Sequence, residues 1–147
     1  MVEVLWLNPH RPVVVLDHTI ALIHHLPEWH PQMRPLIKQV WIKALLSGKY
    51  EQLQRGYLHD RRHDRRGMAP GRYSAGGVLC DIYLRATGQH WSIPDTIGRR
   101  SCLGNPIAIT APVRAWAGLP EQMPIDLIRL NQRYNFAVIA SFIEASL

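Results

Sequence analysis

The chain has 147 residues, 47% of them hydrophobic, which suits one packed core and leaves little room for two domains of ordinary size. No run approaches the roughly 20 apolar residues that cross a bilayer, Glu3 stands where a signal peptide carries positive charge, and Cys80 and Cys102 are too few for a disulfide framework or a four-thiolate metal centre. Seventeen Lys and Arg against eleven Asp and Glu give a formal charge of +6, mostly from arginine, whose planar fork of donors suits phosphate and carboxylate, so a soluble, intracellular protein with reduced thiols and an anionic partner is expected.

Residues 1–17 are Val, Leu and Trp punctuated by Asn8-Pro9 and Arg11-Pro12 around Val13-Val14-Val15, which predicts one or two short strands. A His- and Pro-rich passage, 18–35, allows one brief helix before Pro27 and then a turn. From about 35 to 47, Leu36, Ile37, Val40, Trp41, Ala44 and Leu45 recur at helical spacing, with Pro35 in the first turn and Gly48 at the exit. Lys38 and Lys43 fall off that stripe and should meet water. Between 49 and 72 the hydrophobic pattern fades, which predicts a loop or a short strand pair. A second helix is expected from Gly76 or Gly77 to Ala86, its two leading glycines marking close backbone approach. Residues 89–112 read as irregular with a strand at 107–109. Short helices then follow from Pro112 to Ala117, from 124 to 131, and from 136 to 145 with Asn135 as cap. The expected fold is α+β and mainly α: an N-terminal extension over residues 1–33, packed on a single globular domain over 34–147.

The window from Arg55 to Arg72 holds six arginines and two aspartates, with Tyr57 inside it and Tyr73 just beyond. Guanidinium groups beside aromatic faces are what a protein uses to neutralise a phosphate while stacking a base. The plain alternative is a solvated run whose arginines pair with Asp60, Asp64 or nothing. His59 and His63 stand at a spacing zinc can use on a helix, yet a third ligand is missing and interleaved arginines repel a dication, so no metal site is assigned. The chain has no G-x-S-x-G, G-x-G-x-x-G or G-K-[ST], so neither a catalytic residue nor a cofactor is assigned. Cys80 reads as core, with Asp81 pointing elsewhere. Trp41 and Trp116 follow apolar helix faces, whereas Trp29 and Trp91 stand in loops where a tryptophan covers a pocket or lines an interface.

Trp41-x-x-Ala44-Leu45-x-Ser47-Gly48-x-Tyr50-x-Gln52, then Gly56-x-Leu58, then Tyr73 and Gly77-Val78-Leu79-Cys80-Asp81, resemble a group of small proteins, mostly of unknown function, encoded by many bacteriophages. Trp116-Ala117-Gly118-Leu119, Leu130-Asn131 and Phe136-x-x-Ile139-Ala140-x-x-Ile143-Glu144 continue the likeness in the same order, over about residues 40–147. The chain departs from that group at Ser74-Ala75-Gly76, where cysteine is usual, and at Gln132, where aspartate often follows Leu-Asn. The resemblance implies a phage accessory protein acting in the cytoplasm of the infected bacterial host against its defences, and it points to Tyr50 and Gln52 as hydrogen-bonding residues.

Together these readings favour a non-enzymatic protein that sequesters a small phosphorylated, nucleotide-derived immune signal. Arg55, Arg61, Arg65, Arg66 and Arg72 would meet phosphate, Tyr57 or Tyr73 would stack on a base, and, because one small domain offers limited depth, a homo-oligomer would complete the pocket between protomers. The alternative is DNA or RNA binding by the same basic segment. An enzyme using His59, His63 or Asp81, or a purely protein-binding role, completes the set.

Overall fold

The computed structural model describes residues 2–8, 11–16, 33–61 and 71–147. Strands β1 (Val2–Asn8) and β2 (Arg11–Leu16) pair antiparallel with an irregularity between Trp6 and Asn8. The helix expected within 18–35 lies outside the described residues, apart from Met33 to Pro35. Met33 is buried, and the Arg34 amide donates to the Ala117 carbonyl at 2.9 Å, fastening the chain as it enters helix α1 (Pro35–Leu46).

Helix α1 starts on a proline, whose fixed φ suits the first turn and whose missing N–H would have had no intrahelical partner. Trp41 and Leu45 are buried, with Ile37 packed against them at the preceding i−4 position. The expected stripe proves too wide: Leu36 and Val40 are exposed, because neighbouring helices cover only the 37–41–45 side. A further departure concerns the sheet. Instead of one loop or strand pair, residues 49–73 contribute three two-residue strands, β3 (Glu51–Gln52), β4 (His59–Asp60) and β5 (Arg72–Tyr73). A fourth, β6 (Arg99–Arg100), completes a sheet of order β3-β5-β4-β6, with β3 and β5 parallel and the other pairs antiparallel.

Helix α2 (Ala75–Ala86) is the central element, with every residue from Ala75 to Asp81 buried. The Ser74 hydroxyl caps it by accepting from the Gly77 amide at 3.0 Å, and Trp41 donates its indole N–H to the Ala75 carbonyl at 3.0 Å. Of the two leading glycines, Gly77 marks the expected close backbone approach, since a Cβ there would overlap the Leu58 carbonyl where the chain enters β4, whereas Gly76 faces only the Ile109 and Leu58 side chains. Helices α3 (Ala111–Ala117), α4 (Met123–Arg133) and α5 (Phe136–Ser146) follow close to the expected positions. Gly118 at φ 75° ends α3, and the Asn135 side chain caps α5 through the Val138 amide. The strand expected at 107–109 is absent. The Asn105 carboxamide oxygen accepts from the amides of Ile107 and Ala108 and bends the chain there.

Helices α1, α2 and α5 enclose a core that includes Trp41, Val78, Leu79, Leu84, Val113, Ile139 and Ile143, all buried to within 1%. The architecture is mainly α with a minor β element, and the small sheet lies beside the start of α2.

Candidate functional site

Neighbouring residues on a strand point to opposite faces, so strands of two residues give the sheet one residue per strand on each side. The register places Glu51, Arg72, Asp60 and Arg99 in one row and Gln52, Tyr73, His59 and Arg100 in the other. One face is charged with alternating sign; the other sets Tyr73 and His59 between Gln52 and Arg100. The sequence-predicted residues are divided between them.

The charged face opens into a cavity of about 600 Å³ lined by Glu51, Arg55, Tyr57, Asp60, Arg61, Arg72 and Ile97. Four of the expected ligand-binding residues, Arg55, Tyr57, Arg61 and Arg72, therefore share one hollow. Arg72 is already engaged: its Nε and Nη2 donate to the two Asp60 carboxylate oxygens at 3.2 and 2.7 Å, a two-point contact that holds its pKa above the ordinary arginine value. Arg55 and Arg61 are exposed and make no ion pair with another described residue, while the Arg61 amide is anchored on the Gly98 carbonyl at 2.8 Å. Tyr57 carries the Arg99 guanidinium over its ring, 5.2 Å from the centroid. Arg65 and Arg66, like His63, lie outside the described residues.

Behind the sheet, Tyr73 stacks on His59 with centroids 3.9 Å apart and planes 9° from parallel, while Trp91 meets His59 edge-on at 4.9 Å. Tyr50 meets Tyr73 edge-on at 4.9 Å. The His59 Nδ1 lies 2.7 Å from the Arg72 carbonyl oxygen, which can only accept, so Nδ1 carries the proton. Burial pushes the imidazole pKa down. Asp81 does not point away, as expected from sequence, but anchors this layer. Its carboxylate is buried and accepts from the Tyr50 hydroxyl at 2.6 Å, the Trp91 indole at 3.0 Å and Arg85 Nε at 3.0 Å. Burial and the Asp81 contact push the Tyr50 phenol pKa up, and burial does the same for Tyr73.

Gln52 serves the same frame. Its amide donates to the Asn131 Oδ1 at 3.1 Å and the Tyr134 carbonyl at 2.8 Å. Asn131 is buried, donates to the Leu53 carbonyl at 2.6 Å and accepts from the Ala75 amide at 3.0 Å, so one side chain ties β3, α2 and α4 together. Tyr50, Gln52 and Tyr73 thus hold the scaffold, while Arg55, Tyr57, Arg61 and Arg72 face the cavity. Sequence reasoning missed Glu51 and Ile97, which line the cavity, and the Asp95–Arg99 pair of the loop that carries Ile97. The signal available was the Asp-x-Ile-Gly-Arg run at 95–99, whose aspartate and glycine mark a tight turn. Cys80 and Cys102 are both buried, and Trp91 packs into the aromatic layer.

These features define a class: a mainly helical domain with an arginine-lined cavity on one face of a four-stranded sheet and a hydrogen-bonded aromatic layer on the other. Residues 33–147 match the family model of a domain of unknown function, DUF8296, and the chain belongs to that family. No curated protein and no solved structure matches it.

Proposed function

We propose that this protein binds a small phosphorylated, nucleotide-like anion in the cavity of the charged face and holds it without turnover. The observation that carries the reading is the convergence of Arg55 and Arg61 with Tyr57 on one cavity, beside an arginine already saturated by Asp60. The Asp60 contact offsets the charge of Arg72, leaving Arg55 and Arg61 as the donors for an incoming phosphate. A volume of about 600 Å³ lies within the range of small-molecule sites, about 300–1,000 Å³, so one chain supplies the necessary room. A homo-oligomer that completes the pocket between protomers remains the expected assembly. The likeness to phage-encoded proteins supplies the setting, in which such a ligand is a nucleotide-derived signal withdrawn from host defence.

Calorimetry with pyrophosphate, a cyclic dinucleotide and a duplex DNA tests the reading. Saturable binding of a small anion is expected, with intact ligand recovered after the protein is denatured. Arg55→Gln or Arg61→Gln should each weaken it about 10- to 100-fold, the loss of one hydrogen bond to a charged group. Arg129→Gln, which removes an exposed charge away from the cavity, should change it less than twofold. Binding of duplex alone would replace this reading with nucleic-acid recognition, and recovery of cleaved ligand would make the protein an enzyme. Native mass spectra of the same samples read the subunit number.

A further inference from the structure

Tyr57 lines the cavity and carries the Arg99 guanidinium over its ring, 5.2 Å from the centroid. The guanidinium is itself held in place. Asp95 accepts from Arg99 Nε at 2.8 Å through one carboxylate oxygen, and through the other from the backbone amides of Arg99 at 2.9 Å and Ile97 at 3.1 Å. Two backbone bonds close the same loop, from the Asp95 amide to the Arg99 carbonyl and from the Gly98 amide to the Asp95 carbonyl. Gly98 sits at φ 86°, where a side chain would be strained. From this fixed loop Ile97, 58% exposed, lines the cavity.

An exposed aspartate–arginine pair adds little to stability, and an exposed isoleucine adds less. Both make sense as parts of a binding wall. A guanidinium over one face of a tyrosine fixes the ring and leaves the other face for stacking, and an aliphatic side chain offers a second apolar surface to a flat ring. The geometry points to the Asp95–Arg99 loop as the base-selecting wall of the cavity: a heteroaromatic ring lies against Tyr57 and Ile97 while Arg55 and Arg61 hold the phosphate. This rests on the anion-binding reading and narrows it to phosphorylated compounds that carry a base, in preference to bare polyphosphates or sugar phosphates. Arg99 is a positioning residue, acting through Tyr57.

The test compares ADP with pyrophosphate by calorimetry on the full chain. Wild-type protein should bind ADP about 5- to 100-fold more tightly, the worth of one base stacked on an aromatic ring. Tyr57→Leu and Arg99→Gln should bring ADP down towards the pyrophosphate level while leaving pyrophosphate within about twofold. Ile97→Ser, at an exposed position whose change does not threaten folding, should lower the ratio of the two affinities by a smaller factor. A purely structural loop would weaken both ligands together and leave the ratio unmoved. Equal binding of ADP and pyrophosphate by wild type, or variants that leave the ratio intact, overturns this inference and spares the anion-binding reading. If neither ligand binds, the anion-binding reading falls and takes this one with it.

Discussion

His59 shows how much a single residue's neighbours decide. Its imidazole is 5% exposed, donates to the Arg72 carbonyl, and stacks on Tyr73. A proton on its second nitrogen would have to be carried in a buried place opposite Arg100, with Asp81 and Asp60 giving only partial compensation. Its pKa in the folded protein is therefore below the ordinary 6.5, and the unfolded chain takes up the proton first. The stability this residue preserves is complete above pH 6.5 and is lost as pH falls towards the lower folded value. Urea denaturation from pH 7.5 to 5 should show stability falling with pH, and His59→Gln should flatten that slope; an unchanged slope would place the proton elsewhere. The spacing of His59 and His63 suggested a helix face, but His59 stands in a strand, where the alternation of faces turns it inward. Tyr50 and Gln52 carry a similar lesson. A residue type shows what a side chain can bond to, and only the fold shows that Asp81 and Asn131 have already claimed them.

Among elements, the helices were legible and the strands of the four-stranded sheet were not, for a physical reason. Helices of seven to twelve residues repeat their apolar contacts and carry end signals such as Pro35, Gly118 and Asn135, which appear as such in the structure. A strand of two residues puts one side chain on each face and has no period to read. What fixes β4 is its packing against α2. The Leu58 carbonyl accepts from the Ser74 amide at 3.0 Å, and the Leu58 amide donates to the Pro106 carbonyl at 2.9 Å, so this backbone cannot yield to a new methyl group at Gly77. Gly77→Ala should cost more than about 3 kcal/mol, beyond the usual range for overpacking. Gly48→Ala meets no atom within 4 Å and should cost only the left-handed backbone penalty, about 1–2 kcal/mol. Chemical denaturation of the two variants measures the difference, and equal losses would show that the α2–β4 contact can relax.

At the scale of the whole molecule, charge was the strongest sequence signal and gave a place without a shape. The excess of arginine between 55 and 72 was visible, but which guanidinium groups meet, and which are neutralised by Asp60 or Asp95, depends on the register of four short strands. Nor could composition reveal that Tyr50 and Gln52 belong to the frame around Asp81 and Asn131. Salt separates local recognition from the general field of a +6 chain. Between 50 and 200 mM salt, pyrophosphate held by two arginines should lose no more than about tenfold in affinity. A duplex neutralised at 6–10 phosphates would lose about 10³–10⁵-fold. A small-anion affinity as steep as the duplex value would mean that the field, and not the cavity, does the binding. No helix among the described residues is long and apolar enough to cross a membrane.

The division of the sheet into two faces has an evolutionary corollary. Asp60 and Arg72 serve the cavity while the residues bonded to them along the chain, His59 and Tyr73, serve the interior, so selection can act on one set without disturbing the other. A library randomised at Arg55, Tyr57, Arg61 and Ile97 should therefore reshape the cavity wall while retaining the packing around Asp81 and Asn131.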